Sequence, residues 1–306
     1  VRAALPILAR RPALDSVPQE DRSRGLGLLR TALLTALALL AFAANSILCR
    51  LALGSGSIDA ANFTTIRLVS GAVALLLIAS LSGRASARWN PISAAMLFAY
   101  AIAFSFAYRQ LTAGTGALLL FGAVQLTMLV IAIGQGERPP VTEWLGLALA
   151  AGGLVYLVLP GLHAPPWLGS VLMMAAGVAW GVYSVRGRGA TNPVGETARN
   201  FALAALPAVA LSVLAHLGAN ISNRGALLAA ISGIVTSGVG YVIWYAALPR
   251  LTAARAALVQ LAVPLLAAAS GVALLGETLT PRLVWAGVLI LGGIAVAIAA
   301  HGRARV

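Results

Sequence analysis

Lysine is absent from this 306-residue chain: all 21 of its basic residues are arginine. Acids are scarcer still, at 8, and charged residues make up only 9% of the chain. A soluble domain carries about 25%. So few charges cannot cover a water-facing surface, so most of the outer surface must face lipid. Three acids lie in the first 27 residues, and the remainder are Asp59, Glu137, Glu143, Glu196 and Glu277, at loop or interface positions. The lack of an acid within the apolar runs excludes an intramembrane aspartyl protease, a carboxylate-metal enzyme and a buried carboxylate proton relay. It also leaves a cationic drug without a counter-charge. Cys49 is the only cysteine, which excludes an intrachain disulfide and a cysteine-based metal site. His163, His216 and His301 are too dispersed to hold a metal, and no HExxH or P-loop pattern occurs. The expectation is therefore no catalytic residue, no metal, no cofactor and no enzyme.

What remains is apolar. Hydrophobic residues make up 60% of the chain, and mean hydropathy is +0.93. Residues 1–27 hold Pro6, Pro12, Pro18 and several arginines but no unbroken 7–15-residue apolar run, so they read as a cytoplasmic leader rather than a secretory signal. Apolar runs and their breakers predict ten transmembrane helices at 28–52, 60–82, 91–110, 113–133, 142–160, 167–186, 198–217, 225–248, 252–275 and 281–300. With the N-terminus inside, 15 arginines fall on the cytoplasmic side and four (Arg50, Arg109, Arg224, Arg282) on the other. That bias predicts a multi-pass protein of the cell inner membrane with both termini cytoplasmic. Arginines placed singly or in pairs at span ends mark topology, so the basic pI points to no nucleic-acid partner.

The strongest specific signal is an internal repeat. A shift of 140 residues lays Leu111-Thr112-Ala113 on Leu251-Thr252-Ala253, Gly136-Glu137 on Gly276-Glu277 and Gly152-Gly153 on Gly292-Gly293. Slightly smaller shifts lay Thr65-x-Arg67 on Thr197-x-Arg199 and Ser46-x-x-x-Arg50 on Ser184-x-x-x-Arg188. The repeats span 28–160 and 167–300. Each holds five helices, and because five is odd the second must be inverted relative to the first, the architecture of many secondary transporters.

These Gly-Glu pairs, each with a Gly-rich final helix, and the segment Ala179-Trp180-Gly181 resemble the EamA-type permeases of the drug/metabolite transporter superfamily, YddG-like exporters among them. The first repeat departs from the pattern, reading Phe42-Ala43 where the second has Trp180-Gly181. The resemblance implies an all-α integral membrane fold of two inverted five-helix repeats around a central cavity. It also implies export or exchange of small metabolites, amino acids included.

The residues themselves favour a neutral, partly apolar solute. Tyr100, Phe104 and Tyr108 recur every four residues on one helix face, and Tyr241, Trp244 and Tyr245 form a comparable stripe. Candidate substrate-binding residues are Asn45, Tyr100, Phe104, Gln125, Trp180, Tyr183, Tyr241, Trp244 and Gln260. The amides serve equally as helix–helix hydrogen bonds, and Tyr108 and Trp144 read as interface anchors. Arg67, about seven residues into its span, either snorkels to the interface or binds a substrate carboxylate. Glu137 and Glu277 read as structural residues at helix termini. Pro207 and Pro264 are expected to kink their helices, and the Gly doublets to form packing scaffold or a dimer face. Expected partners are the lipid bilayer and a small-molecule substrate, the chain being a monomer or homodimer. A channel, a structural membrane subunit, or an exporter of drugs, sugars or nucleosides are the alternatives.

Overall fold

The computed structural model describes residues 19–84, 87–136, 140–187, 190–214, 220–251 and 253–303. The leader up to residue 18 and Glu137, Pro139, Arg188, His216 and Thr252 lie outside the described residues. Every regular element among the described residues is helical. In order they are α1 (Gln19–Gly54), α2 (Ala60–Leu81), α3 (Pro91–Ala107), α4 (Ala113–Gly134), α5 (Val141–Val158), α6 (Trp167–Arg186), α7 (Pro193–Leu214) and α8 (Asn223–Ile231). A π-helical stretch (Ser232–Val239), α9 (Gly240–Ala247), a 3₁₀ turn (Leu248–Arg250), α10 (Ala253–Gln260), α11 (Ala262–Leu275) and α12 (Pro281–Arg303) follow. Nine helical stretches among the described residues are long and apolar enough to cross a membrane, and α3, with 17 residues, is a shorter apolar helix. Large apolar side chains such as Leu77, Leu145, Leu206, Leu265 and Val288 lie exposed on the outside. In water such a surface would aggregate; in a bilayer it is the solvent-facing surface.

The caps follow the sequence. Asp59 accepts from the Asn62 N–H, Asn90 from Ser93 with Pro91 opening α3, and Thr112 from Thr115. The expected start of α7 at 198 is corrected to Pro193. Asn192 accepts from the Gly195 N–H, and the proline read as a breaker is instead the first helical residue. Glu143, expected at the interface, is buried in the first turn of α5, where a carboxylate suits the helix dipole.

The second half of the chain is less regular than the first. Its third span is α8, the π-helical stretch and α9 in series, and its fourth breaks at Leu261 into α10 and α11. Pro264, which has no N–H and a ring that crowds the carbonyl four residues earlier, accounts for that break. Pro207 lies inside α7 without interrupting it.

Packing crosses between the halves. Helix α5 lies on α12, α2 on α7, and α4 on α11. Helix α6 packs on α3 and α4, while α1 packs on α8, α9 and α11. The α5–α12 crossing depends on glycine: a Cβ on Gly146 would fall 2.5 Å from the Gly293 carbonyl oxygen, and one on Gly293 would fall 2.5 Å from that of Gly146. One glycine of each doublet, Gly153 and Gly293, therefore serves a contact within the chain. Arg282, in the first turn of α12, donates to the carbonyls of Tyr156, Leu159 and Leu162 and pins the end of α5.

Candidate functional site

The centre of the bundle is aromatic. Trp180 of α6 stacks on Tyr183 of the same helix (centroids 5.3 Å apart) and on Tyr241 of α9 (5.4 Å). It meets Tyr100 of α3 at 4.8 Å. Tyr100 leads to Phe104 (5.3 Å) and Phe104 to Tyr108 (4.7 Å, edge-on), one turn apart along α3. Tyr241 also touches Phe42 and Phe201. Five helices, α1, α3, α6, α7 and α9, thus bring eight rings into one continuous cluster, at spacings favourable for ring pairs.

Arg67 of α2 is held against this cluster and is 1% exposed. Its guanidinium carbon stands 5.3 Å from the Tyr100 ring centre and 5.2 Å from that of Phe104. Nη2 donates to the Tyr100 hydroxyl (3.1 Å) and Nε to Ser237 Oγ (3.2 Å). Nη1 has no partner. No acid forms an ion pair with Arg67 among the described residues. Of the two outcomes expected for this residue, snorkelling is overturned: α2 turns it inward, between α3 and the π-helical stretch. That stretch places Ser237 beside the guanidinium, and its Gly233 lets the two backbones close up. A π-helical segment re-aims side chains that a regular helix would space differently.

Other candidates fall into four groups. Tyr100, Phe104, Trp180, Tyr183 and Tyr241 share the ring cluster. Asn45 is buried, and its Oδ1 accepts from Ser232 (2.7 Å) and Thr236 (3.2 Å), tying α1 to the π-helical stretch. Trp244 packs with Ala38 and Ala256 in a separate apolar cluster and reaches the rings only through Phe42 (5.9 Å). Gln125 and Gln260 are half-buried and enter none of these ring contacts. Tyr108 is corrected: it is fully buried, donates its hydroxyl to the Ala113 carbonyl (3.2 Å) and anchors no interface. Trp144 is half exposed, as an anchor would be.

Two residues escaped the sequence reading. Phe42 aligns in sequence with Trp180, and both rings touch Tyr241, so that alignment carried the signal. Asn200, 6% exposed on α7, stands two turns into that helix, whereas the expected start at 198 put it in the first turn, at the interface. Its Nδ2 donates to the Tyr183 hydroxyl (3.5 Å), and its Oδ1 has no partner.

A second arginine closes one end of the bundle. Arg50 Nε lies 3.2 Å from Glu277 Oε1, and its Nη1 donates to the Tyr108 carbonyl at 3.3 Å. Glu277 Oε2 accepts the Ala113 N–H at 2.8 Å. One ion pair thus grips both sides of the α3–α4 turn, with its carboxylate on the N-terminus of α4. Gly276 makes this geometry available: its positive φ of 65° ends α11 and turns Glu277 back, so that its N–H meets the Gly271 carbonyl.

Residues 167–299 match the model of the EamA-like transporter family. An uncharacterized Pseudomonas aeruginosa protein is 52% identical over 279 residues, which cover 90% of this chain and 97% of that protein. The chain belongs to the EamA-like transporter family. Its members are transporters rather than enzymes, and the chain is a multi-pass membrane protein of that family. A probable terminal-alkyne amino-acid exporter of Streptantibioticus cattleyicolor is 28% identical over 248 residues, 76% of this chain and 82% of that one. An uncharacterized transporter of Archaeoglobus fulgidus is 27% identical over 193 residues, 61% and 68% of the two chains. A crystal structure with 20% identity superposes at a TM-score of 0.62, covering 87% of this chain and 96% of its own, a likeness of fold.

Proposed function

We propose that the chain is a secondary carrier of the inner membrane that exports or exchanges small organic metabolites by alternating access, amino acids with aromatic or hydrophobic side chains foremost. The observation that carries this reading is Arg67, a buried cation with a free N–H at the edge of an aromatic cluster. A charge at membrane depth costs about 2.5–3.5 kcal/mol on insertion scales. Such a cost is met here without an acid to offset it, which fits a site whose anionic partner is the cargo. A substrate carboxylate would take Nη1, and the rings would hold its apolar body. The amino-acid exporter among the relatives supports this choice of substrate.

Packing supports the inverted repeat. Exchanging α1 with α6, α2 with α7, α3 with α8–α9, α4 with α10–α11, and α5 with α12 returns the main contacts. The pairs α5–α12, α2–α7 and α4–α11 map onto themselves, and α6 on α3 and α4 becomes α1 on α8–α9 and α11. Two related arrangements of one scaffold are what alternating access needs. The Arg50–Glu277 grip on the α3–α4 turn then has to release for that end to open. By the arginine asymmetry this is the outer end, and both termini are cytoplasmic. No acid stands in mid-helix among the described residues, which favours facilitated export or exchange over strict proton antiport.

Counterflow of labelled phenylalanine in proteoliposomes tests the proposal. Saturable, trans-stimulated flux is expected. Flux that neither saturates nor responds to trans substrate would indicate a pore, and the absence of flux for any small metabolite would end the transporter reading.

A further inference from the structure

Arg67 is not the only buried group with an unused valence beside the rings. Asn200 is its counterpart, with a free acceptor where Arg67 has a free donor. Arg67 lies on α2 and Asn200 on α7, helices that pack on one another across the two halves. Each is joined to the cluster through a tyrosine hydroxyl, Arg67 through Tyr100 and Asn200 through Tyr183. Those tyrosines flank the same ring, Trp180, at 4.8 and 5.3 Å. A buried polar atom without a partner costs about 1–3 kcal/mol. Two such atoms of opposite polarity around one indole are a larger unmet demand than packing explains, since a leucine at either position would fill space without it.

We infer that Arg67 and Asn200 are the two polar contacts of one ligand site. Its ligand is a ring-bearing carboxylate that also carries a hydrogen-bond donor, with the carboxylate on Arg67 Nη1 and the donor on Asn200 Oδ1. This inference rests on the transporter reading above and adds Asn200 as the residue that selects for the donor. The donor is either an ammonium next to the carboxylate or a hydroxyl at the far end of the ring, both of which an amide oxygen accepts. Because the ligand bridges α2 and α7, it ties one half to the other while bound.

Three probes on one skeleton test the inference: 3-phenylpropanoate, with no donor; L-phenylalanine, with an ammonium; and 3-(4-hydroxyphenyl)propanoate, with a phenol. Their Kd values are measured by titration calorimetry on the full chain in lipid nanodiscs at neutral pH. The wild type is expected to bind at least one donor-bearing probe about tenfold or more tightly than 3-phenylpropanoate. Asn200→Leu brings that ratio near one. Asn200→Asp keeps the acceptor and adds a charge, so it raises the ratio for whichever donor-bearing probe the wild type prefers, a gain that misfolding cannot produce. A wild-type ratio near one for both donor-bearing probes, a ratio that survives Asn200→Leu, or a ratio for the preferred probe that fails to rise in Asn200→Asp overturns the inference. If none of the three binds while another solute shows counterflow, the inference fails and the transporter reading stands. If no solute moves at all, that reading has failed and the site falls with it.

Discussion

Arg50 and Arg67 lie 17 positions apart in sequence and are opposites in circumstance. Arg50, at the end of α1, is partly exposed and fully employed: a carboxylate, a backbone carbonyl and a capped helix N-terminus surround it. Arg67 is more deeply buried, has no ion-pair partner among the described residues, and keeps one N–H idle. Burial makes an unpaired charge costlier, so on stability alone the pairing should be the reverse. The difference teaches that the two arginines answer different demands. One holds an end of the bundle together; the other is left with a valence for something the chain does not itself supply.

Replacing Arg67 breaks this comparison most severely. Arg67→Met is expected to cut phenylalanine flux in proteoliposomes about 30-fold or more, the loss that follows when one partner of a buried charge contact is removed. The thermal midpoint in detergent should hold or rise, because the variant removes an uncompensated cation. A midpoint that falls in step with flux would make Arg67 a structural residue like Arg50.

Glu277→Gln comes next. It keeps the shape and removes the charge that grips Arg50 and the α4 N-terminus, contacts worth about 1–3 kcal/mol. Each 1.4 kcal/mol shifts a two-state balance about tenfold. Cys49, which precedes Arg50 in sequence, is buried and is the only thiol in the chain, so it is a native reporter. Its reaction with a small maleimide should speed up in Glu277→Gln and in Arg50→Gln, and the double variant should add little to either. Equal labelling rates in all four proteins would mean that the pair does not govern that end.

A smaller effect is expected away from both arginines. Gly146→Ala places a methyl against the Gly293 carbonyl and should cost about 1–3 kcal/mol of stability by overpacking. Ligand affinity should stay as it was, because the α5–α12 contact is scaffold. The smallest change is expected for Gln260→Leu. That amide makes none of the central contacts, so its thermal midpoint should shift by no more than about 0.5 kcal/mol allows.

The sequence made the helices legible because lipid leaves few alternatives: apolar runs of 17–28 residues between proline, glycine and asparagine breakers have to be helices. It made Tyr100, Phe104, Trp180, Tyr183 and Tyr241 legible as a group because helical spacing puts them on shared faces. Other features depended on the tertiary structure. The π-helical stretch has no pattern of its own, so nothing in Ser232–Val239 announced that Ser237 would meet Arg67. Asn192-Pro193 serves equally as a turn and as a helix cap, so the expected α7 start fell at 198 and put Asn200 at the interface rather than two turns in. Tyr108 looked like an anchor since it stands at a helix end; what buried it was the α3–α4 turn folding beneath Arg50 and Glu277. Glu277 read correctly as a helix-terminus residue, but its reach across to α4 is a long-range contact that local sequence does not encode.

The central claim is that the idle N–H of Arg67 is reserved for a ligand carboxylate. The most direct measurement is a cycle of four Kd values by calorimetry, for L-phenylalanine and L-phenylalaninamide on wild-type chain and on Arg67→Met. The account predicts that the wild type prefers the carboxylate and that the variant loses the preference, a coupling of about 1.5 kcal/mol or more. A coupling near zero, with both proteins folded and binding, would contradict it.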